Sequence, residues 1–312
     1  MALTEFGLIT RYFEAPRFAV APDCGVVLGI GDDAAILRPP PGQDLVVSID
    51  TLVAGVHFPP AMAPEHIGHR ALAVNLSDLA AMGAQPLWFT LALTLPEADA
   101  DWLEGFSRGL AALAQRSGIA LVGGDTTRGP LSITIQVHGC VAPGTALRRD
   151  GAQPGDDVHV SGVPGSAALG LQRVLAGHGP EDEQARIFLY PEPRIALGLR
   201  LRGIASAAID VSDGLLADAG HIAARSRVRI VLASERLPLC AGCEAPVALQ
   251  LCLAGGDDYE LCFTASPLRR DAIAGIASAL ELRCTRIGEV LPGEGVDCDG
   301  YGAAHGYEHF GR

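Results

Sequence analysis

The residues of this sequence best suited to chemistry are aspartates that stand beside Gly or Ser at the predicted ends of strands or helices. In open α/β folds, ligands bind at such strand ends. Carboxylates that converge to about 4 Å repel one another by roughly 4 kcal/mol per pair at an effective dielectric of about 20, so their convergence requires bound cations. Oxygen ligands with few nearby His or Cys side chains favour Mg²⁺ or Mn²⁺ over zinc. The aspartates are Asp33, Asp50, Asp78, Asp125, Asp210 and Asp213.

The glycines beside these aspartates favour phosphate chemistry at the bound cations. Mg²⁺ in proteins usually keeps several waters and is shared between one or two carboxylates and substrate phosphates. Gly123 and Gly124, and Gly214 at the start of a predicted helix, would let backbone N–H groups approach phosphate oxygens. A single Asp-Gly element is more typical of a turn or a helix cap. The whole set therefore predicts phosphoryl chemistry where one member alone would not.

The stretch GIGDDAAIL, Gly29 to Leu37, places Asp32 and Asp33 between two apolar segments. We expect residues 25–28 and 34–37 to form buried strands, in which unpaired carboxylates are rare. Adjacent side chains of a strand point to opposite faces, so one of the two aspartates is expected to bind a cation.

The composition of the 312-residue chain excludes several classes of protein. Its net charge of −13 argues against non-specific binding to nucleic acids. All 23 basic residues are Arg, so the phosphate-binding Lys of Walker A loops, the strand Lys of protein kinases and the reactive Lys of Schiff-base enzymes are absent. The sequence lacks the pattern of a signal peptide, and no apolar run approaches the roughly 20 residues of a membrane span.

The 8 cysteines are scattered, which argues against a disulfide framework and predicts reduced thiols in a cytoplasmic protein. Cys240 and Cys243 form a CxxC motif, but no second CxxC or His pair follows at the spacing of a zinc site. We therefore expect this pair of cysteines to be structural. From the charge and the absence of long apolar runs, we expect the protein to contact neither membranes nor nucleic acids.

Two domains are predicted, residues 1–145 and 146–312, with a boundary in a segment rich in Gly and Pro. Predicted strands and helices are mixed throughout, which predicts an α/β or α+β fold. The predicted strands are 44–50, 87–95, 131–141, 157–161 and 207–211. The predicted helices are 64–82, 98–117, 167–176, 194–201 and 215–224.

Two short strings occur in both halves of the chain. Residues 75–78 share a pattern with residues 210–213, and Gly-Gly-Asp occurs at 123–125 and again at 255–257. An old duplication accounts for both pairs, but so does the chemistry of glycine-carboxylate turns, which recur independently. Both explanations stay open on the sequence alone.

Six longer strings stand out in the sequence: GIGDDAA, SIDTLVAGVHF, RALAVNLSDLAAMGA, LVGGDTTRGPLSITIQVHG, IDVSDGL and GGDDYELCF. Together they resemble one family, the thiamine-monophosphate kinases of the superfamily named for aminoimidazole ribonucleotide synthetase. The resemblance implies ATP-dependent phosphorylation of thiamine monophosphate to thiamine diphosphate, the last step of thiamine diphosphate biosynthesis, with several Mg²⁺ ions. It implies a two-domain α/β (α+β) fold, in which N-terminal domains that bind ATP and magnesium pair their sheets in a homodimer. A C-terminal α/β sandwich would complete the cleft for nucleotide and substrate.

The same resemblance implies roles for individual residues. The implied magnesium ligands are Asp33, Ser48, Ile49, Asp50, Asp78, Asp125, Asp210 and Asp213. The implied ATP contacts are Gly124, Asp125, Arg149 and Ser212. The implied contacts with thiamine monophosphate are His57, Asp257 and Tyr307. The residues expected to carry catalysis are Asp33, Asp78, Asp125, Arg149 and Asp210.

Two positions depart from the family pattern. Asp257 stands where the family usually has Glu in GGEDYEL, so its side chain is one methylene shorter. A contact of this residue with the substrate is then expected to be lost or to move to Asp258 or Glu260. Ile49 stands in the middle of the family's Ser-Thr-Asp triplet, so it can offer a metal only its backbone oxygen.

The implied reaction needs no general base, because thiamine monophosphate supplies an ionised phosphate oxygen as the nucleophile near pH 7. Bridging Mg²⁺ ions and a bidentate contact from Arg149 would support direct in-line transfer without a phosphoenzyme. The alternatives are a metal-dependent phosphohydrolase, an inactive nucleotide-binding homologue, and a related synthetase with Cys24 as its reactive thiol. Taken singly, Arg149 is also consistent with a surface charge, and His57 and Tyr307 with ordinary packing.

Overall fold

The computed structural model describes four parts of the chain, residues 5–14, 16–18, 24–298 and 301. The chain divides into two compact units. Unit 1 draws on Met1–Leu79 and Gln85–Gly144, and unit 2 draws on Ala80–Ala84 and Thr145–Arg312. The segment Ala80–Ala84 groups with unit 2 because its first two residues belong to a buried apolar cluster there.

Unit 1 is built on a four-stranded sheet and a separate pair of short strands. Its elements are α1 (Glu5–Tyr12), a 3-10 turn (Pro16–Phe18), β1 (Val26–Leu28), β2 (Ile36–Leu37), β3 (Asp44–Val53), α2 (Pro64–Ala81), β4 (Gln85–Leu95), α3 (Ala100–Ser117), β5 (Ala120–Arg128) and β6 (Ser132–Val141). The order of the sheet is β3-β6-β4-β5, so β3 and β5 are its edges. Only β4 and β5 run parallel, and the other pairs are antiparallel.

One face of this sheet contributes to the core of unit 1. In β6, Ile133, Ile135 and Val137 are fully buried, whereas the residues between them are partly exposed. This alternation is that of a strand that buries one face. The helices α2 and α3 cross with their backbones in close contact, since a Cβ at Gly68 would lie 2.1 Å from the carbonyl oxygen of Phe106. Glycine at this crossing therefore lets the two helices pack tightly.

The strands β1 and β2 form as expected, but they are not buried. They pair with each other rather than with the larger sheet, and Val27 and Ile36 are each 54% exposed. The expectation of buried strands around Asp32 and Asp33 was therefore wrong. An apolar run predicts a strand, but it does not predict which surface covers that strand.

The edge strand β3 carries exposed apolar side chains on one face. Leu45, Val47 and Ile49 are 49%, 48% and 58% exposed, and their spacing by two places them on the same side of the strand. We call these three residues the β3 stripe. A row of exposed apolar side chains on an unpaired edge is typical of a surface that contacts another protein.

Unit 2 contains a six-stranded sheet in the order β12-β9-β11-β7-β10-β8, in which only β12 and β9 run parallel. Its elements are β7 (Asp157–Ser161), α4 (Ser166–Leu175), α5 (Glu183–Leu189), α6 (Ile195–Leu201), β8 (Ala207–Val211), α7 (Leu215–Ser226), β9 (Arg229–Leu232), α8 (Ala245–Ala254), β10 (Glu260–Ala265), α9 (Arg270–Ala279), β11 (Cys284–Leu291) and β12 (Gly295–Cys298), with 3-10 turns at Ser234–Arg236 and Pro267–Arg269.

Both faces of the sheet in unit 2 are covered by helices. Along β10, Cys262 packs in one apolar cluster with Ile222 of α7, whereas Phe263 packs in the other with Leu197 of α6 and Ile273 of α9. A strand buried on both faces is expected to be apolar throughout, as β10 largely is. The mixed α/β fold expected from the sequence is confirmed, and unit 2 has the layered form of a sandwich.

The strings that occur twice in the sequence adopt different structures. Residues 75–78 lie within α2, whereas residues 210–213 run off the end of β8. The Gly-Gly-Asp at 123–125 lies within β5, and the one at 255–257 follows α8 in a loop. The structure therefore favours independent recurrence of glycine-carboxylate chemistry over duplication.

His159 lies in the middle of β7 and is the most unusual buried group of unit 2. It is 4% exposed, its ring stacks on Phe263 with 5.2 Å between centroids, and neither ring nitrogen has a hydrogen-bond partner among the described residues. Burial lowers the pKa of His159 to about 4, against an opposing effect of the Asp157 carboxylate. The imidazole is therefore neutral at physiological pH.

We expect His159 to make stability depend on pH. Between pH 6.5 and 4 the unfolded chain takes up a proton on this ring while the folded protein does not, so stability falls with falling pH, by about 3 kcal/mol across the window. The variant His159→Phe keeps an aromatic ring against Phe263. Urea unfolding should show that its stability falls correspondingly less than that of the wild type between pH 6.5 and 4. Above pH 7 the stabilities of the two proteins should change with pH in parallel. Equal losses of stability below pH 6.5 would mean that His159 does not cause the pH dependence.

Candidate functional site

In unit 1, β3 and α2 bring together four polar residues, which we call the β3–α2 cluster: Ser48, Asp50, Asn75 and Asp78. Ser48 and Asp50 are two residues apart on a strand, and Asn75 and Asp78 are three apart on a helix, so each pair shares one face. The Ser48 hydroxyl donates to Oδ2 of Asp78 at 2.5 Å, and the backbone N–H of Asp50 donates to Oδ1 of Asn75 at 3.0 Å. Two predicted metal carboxylates and a predicted metal hydroxyl are therefore neighbours.

The electrostatics of this cluster fit a cation. Burial and, to a smaller extent, the charge of Asp78 together raise the pKa of Asp50 to about 6. Holding both carboxylates ionised is thus unfavourable in the protein alone, and a positive ion between them would reverse this effect. The donors are carboxylate and hydroxyl oxygens, which is the set that Mg²⁺ prefers.

Asn75 was not predicted as a functional residue, yet it positions the cluster. It is fully buried, and its Nδ2 donates to the Ala71 carbonyl at 3.0 Å, so the hydrogen-bond network fixes the orientation of its amide. Its Oδ1 then receives the N–H of Asp50 and ties α2 to the edge strand. The signal was present in the sequence, because Asn75 precedes Asp78 by one helical turn.

Three other predicted residues of unit 1 lie nearby in sequence but are placed differently. Asp33 is exposed in the loop between β1 and β2, where the Asp32 carboxylate accepts its backbone N–H at 2.9 Å. Ile49 belongs to the exposed β3 stripe. His57 follows β3 in a turn, and its Nδ1 accepts the N–H of Val53 at 3.0 Å, which places the proton of a neutral ring on Nε2.

Asp125 lies on β5, the other edge of the sheet, and not with the β3–α2 cluster. Asp125 pairs with Ala92 on β4, and Ala92 pairs with Thr134 on β6. Thr134 in turn pairs with Thr51 on β3, so the side chains of these four residues lie on one face of the sheet. Asp50 is the neighbour of Thr51, so its side chain lies on the opposite face from that of Asp125. Three strand spacings separate the two edges by roughly 14 Å. Within one chain, Asp125 and Asp50 therefore cannot share a metal ion.

Gly124 has a structural reason to be glycine. Its φ is 157°, and a Cβ at this position would lie 1.9 Å from the carbonyl oxygen of Leu91. The close approach of β5 to β4 thus explains the residue without a ligand. A phosphate contact through its N–H stays a prediction.

In unit 2, three predicted residues lie at the end of β8 and in the loop before α7. Asp210 is the next-to-last residue of β8 and is 4% exposed, and Ser212 and Asp213 follow the strand in the loop. Oδ2 of Asp218, in the first turn of α7, accepts the N–H groups of Ser212 at 3.0 Å and Asp213 at 3.1 Å. These two N–H groups are therefore bonded within the protein, which argues against the expected presentation of this backbone segment to a phosphate.

Asp218 was missed by sequence reasoning, although an acidic residue in the first turn of a helix is a known capping signal. Burial raises its pKa to about 7, against the opposing effect of the N–H groups it accepts. With Asp213 and His221 it forms the one group of three acidic or His side chains, among the described residues, whose ligand atoms lie within 4.8 Å of one another.

The loop after α8 places Asp257 beside the β8–α7 loop. The backbone N–H of Asp257 donates to the Ser212 carbonyl at 2.7 Å, and that of Tyr259 donates to the Val211 carbonyl at 2.8 Å. Asp257 has a φ of 64°, a left-handed conformation that Asp tolerates better than most residues. A predicted substrate residue and a predicted nucleotide residue, Ser212, are therefore adjacent.

Asp258 and Glu260 are engaged in structural contacts. Asp258 is buried, and its two oxygens accept the N–H groups of Gly165 at 2.7 Å and Ala167 at 3.0 Å, at the start of α4. Glu260 is also buried and forms an ion pair with Arg194 at 2.5 Å. Neither carboxylate can take over a substrate contact from Asp257 without breaking these interactions.

The two adjacent arginines 148 and 149 differ sharply in their contacts. Arg148 forms an ion pair with Asp150 at 2.5 Å. Arg149 is exposed, and its carbonyl accepts the Ser226 hydroxyl at 2.8 Å, but its guanidinium makes no hydrogen bond or ion pair with another described residue. Arg149 is thus the cation of this turn that stays available to an anion.

The remaining predicted residue, Tyr307, lies outside the described residues. Among the helices that the structure describes, none is long and apolar enough to cross a membrane. All 8 cysteines fall in the described part of the chain, and none forms a disulfide.

The chain is similar to known proteins over its whole length. Residues 31–141 match the family described as AIR synthase related protein, N-terminal domain. The thiamine-monophosphate kinase of Salmonella typhimurium is 47% identical, with 99% of this chain and 99% of that protein covered. The crystal structure of thiamine-monophosphate kinase from Stenotrophomonas maltophilia superimposes with a TM-score of 0.88 at 50% identity, covering 97% and 99% of the two chains. The structure of AaThiL complexed with AMPPCP and TMP superimposes with a TM-score of 0.79 at 33% identity, covering 99% and 97%.

Proposed function

Because the chain belongs to the thiamine-monophosphate kinase family, we propose that it transfers the γ-phosphoryl group of ATP directly to thiamine monophosphate, giving thiamine diphosphate and ADP. The observation that carries this proposal is the β3–α2 cluster, in which two half-buried carboxylates and a hydroxyl are arranged as oxygen ligands. The related structure that contains both AMPPCP and TMP supports the pair of substrates. We place the enzyme in the cytoplasm, where its cysteines, none of which forms a disulfide, would stay reduced.

The proposed chemistry asks the protein mainly for positioning and charge. The acceptor phosphate is ionised near pH 7 and attacks without a general base. Several Mg²⁺ ions, when bound, neutralise the charge of the phosphates. Ser48, Asp50 and Asp78 would hold such ions in unit 1, and Asp33 and the backbone oxygen of Ile49 would add ligands.

The predicted residues of unit 2 are proposed as cation ligands and substrate contacts as well. Asp210 and Asp213 would hold cations, and the adjacent Ser212 would contact ATP. Arg149 would clamp a phosphate through two parallel N–H donors, since its guanidinium has no hydrogen-bond or ion-pair partner among the described residues. Asp257 would contact thiamine monophosphate, and His57 and Tyr307 are proposed for the same substrate.

We propose that the enzyme acts as a homodimer joined through the sheets of unit 1. The β3 stripe leaves a row of apolar side chains exposed, and two edges of the sheet, β3 and β5, have no partner among the described strands. Exposed edges of this kind are stabilised by pairing or covering. A second copy related by twofold symmetry can place its β5 against the β3 edge of the first.

The same arrangement gives Asp125 a role. Asp125 lies on β5, far from the β3–α2 cluster of its own chain, but pairing of β5 with the partner's β3 would bring it beside the strand that carries half of the partner's cluster. We therefore propose that Asp125, with Gly124, serves the site of the second copy. Each site would then be incomplete in a single chain.

The proposed activity is tested by mixing the purified protein with Mg²⁺, ATP and thiamine monophosphate and separating the thiamine phosphates by chromatography. Thiamine diphosphate and ADP should appear in equal amounts, and thiamine in place of its monophosphate is the control for acceptor specificity. ADP and phosphate without thiamine diphosphate would indicate a phosphohydrolase. No consumption of ATP would indicate an inactive homologue.

We expect Asp257→Glu to lower the Michaelis constant for thiamine monophosphate by about threefold, because it restores the longer side chain and the reach of one hydrogen bond. Steady-state kinetics with each substrate varied in turn measures this. The Michaelis constant for ATP is the internal control and should not change. A change in the ATP constant alone would mean that Asp257 does not contact the thiamine substrate.

A further inference from the structure

The pair Cys240 and Cys243 has no part in the proposed kinase chemistry. The two residues flank the short turn Ala241-Gly242, just before α8 begins at Ala245. Their Sγ atoms lie 3.9 Å apart. Side chains at this spacing in a CxxC turn are close enough for chemistry between the two sulfurs.

The surroundings of the pair favour reaction between these two thiols over metal binding. Cys240 is 5% exposed and packs with Leu169 of α4 and Ala248 of α8, whereas Cys243 lies half-buried at the margin of the same cluster. No third acidic, His or Cys side chain among the described residues completes a ligand group with them. A structural zinc site needs four such ligands.

A disulfide between the two cysteines is within reach of the observed geometry. The sulfurs must approach from 3.9 Å to about 2.05 Å. The turn that joins them lies outside helices and strands, so rotation of the side chains and a small shift of the turn break no hydrogen-bond ladder. Cys252 and Cys262, in contrast, are fully buried within α8 and β10.

We propose that Cys240 and Cys243 are a thiol modification site, at which disulfides of small thiols oxidise the pair to an intramolecular disulfide. The thiolate of Cys243 attacks one sulfur of the small disulfide, forms a mixed disulfide and releases one small thiol, which takes up the proton that Cys243 lost. The sulfur of Cys240 then attacks that of Cys243 and releases the second small thiol. Two protein thiols are oxidised, and one small disulfide is reduced to two thiols.

The order of the two steps follows from exposure. Cys243 is accessible to an incoming reagent, whereas Cys240 is buried and meets only its neighbour. Burial also raises the pKa of Cys240 to about 11, which makes it a poor first nucleophile in solution. Cys243 is therefore the attacking residue and Cys240 the resolving residue.

The test equilibrates the full-length protein with oxidised glutathione, then unfolds it and alkylates the remaining thiols with N-ethylmaleimide. Intact mass should show 6 alkylated cysteines after oxidation, in place of the 8 that the reduced chain offers. Trypsin releases residues 237–269 as one peptide, and its fragmentation should join Cys240 to Cys243 and leave Cys252 and Cys262 alkylated. Adding dithiothreitol should restore all the thiols.

Three variants separate the roles of the sulfurs. Cys243→Ser should form no disulfide and bind no glutathione, whereas Cys240→Ser should stop at one glutathione bound to Cys243. Cys284→Ser, a partly exposed cysteine on β11, is the matched control and should still lose two thiols on oxidation. Full alkylation of the oxidised wild type, or a disulfide that includes Cys252 or Cys262, would overturn the proposal. The peptide map of the wild type decides this even where a variant fails to fold.

Discussion

We expect Asp78→Asn and Asp125→Asn chains, each about a thousandfold slower than the wild type when assayed alone, to regain about half of the wild-type turnover when they are combined in mixed dimers. Each substitution removes a carboxylate charge proposed to hold a metal, which accounts for the loss. The recovery follows from the proposal that Asp125 serves the partner's site. A mixed dimer then has one site with both substitutions and one site with neither.

The geometry of unit 1 gives the reason for expecting this recovery. Asp78 lies in the β3–α2 cluster at one edge of the sheet, and Asp125 lies on the other edge and faces the other way. If both residues served the same site within one chain, each site of a mixed dimer would keep one substitution. Mixing would then restore nothing.

The measurement uses two differently tagged chains, co-expressed and purified through both tags, so that only mixed dimers are assayed. Purified mixed dimers should show about half of the wild-type turnover, and a random mixture about a quarter. The matched control combines Asp50→Asn with Asp78→Asn. Both of these residues belong to one cluster, so every site stays damaged and no activity should return. Absence of recovery for the first pair, in dimers shown to be mixed, contradicts a role for Asp125 across the interface.

The sequence predicted the elements of this fold well where hydrophobic periodicity was strong. The strand predicted at 157–161 matches β7, and the helix predicted at 64–82 differs from α2 by one residue. Burial was harder to predict, as Val27 and Ile36 show. Local pattern determines whether a segment forms a strand, but only the tertiary structure determines which faces of that strand are covered.

The candidate site could be predicted in its chemistry but not in its arrangement. A list of aspartates beside glycines suggested cations, yet nothing local shows that Asp50 and Asp78 are neighbours while Asp125 is not. That distinction depends on strand order and register. Asp258 and Glu260 were possible substitutes for Asp257 until their contacts with α4 and Arg194 were seen. Polar networks of this kind join residues that are distant in sequence, so they leave no local pattern.

Arg149→Ala should lower kcat/KM for ATP by about a hundredfold, whereas Arg148→Ala should change it by less than about twofold. The two residues are adjacent, have the same charge and lie on the same exposed turn. They differ in that Asp150 binds the guanidinium of Arg148, while the guanidinium of Arg149 makes no hydrogen bond or ion pair with another described residue. The comparison therefore holds the net charge of the protein constant and changes only which guanidinium is lost.

A third variant separates charge from geometry at this position. Arg149→Lys keeps the positive charge but loses the planar pair of donors that bind two phosphate oxygens at once. We expect its kcat/KM for ATP to fall between those of the wild type and Arg149→Ala, with most of the loss in kcat if Arg149 contacts the transferred phosphate and most in KM if it contacts another part of ATP. Equal effects of Arg148→Ala and Arg149→Ala would mean that this turn acts only through its overall charge. In that case Arg149 is a surface residue, and the phosphate clamp must be sought elsewhere in the chain.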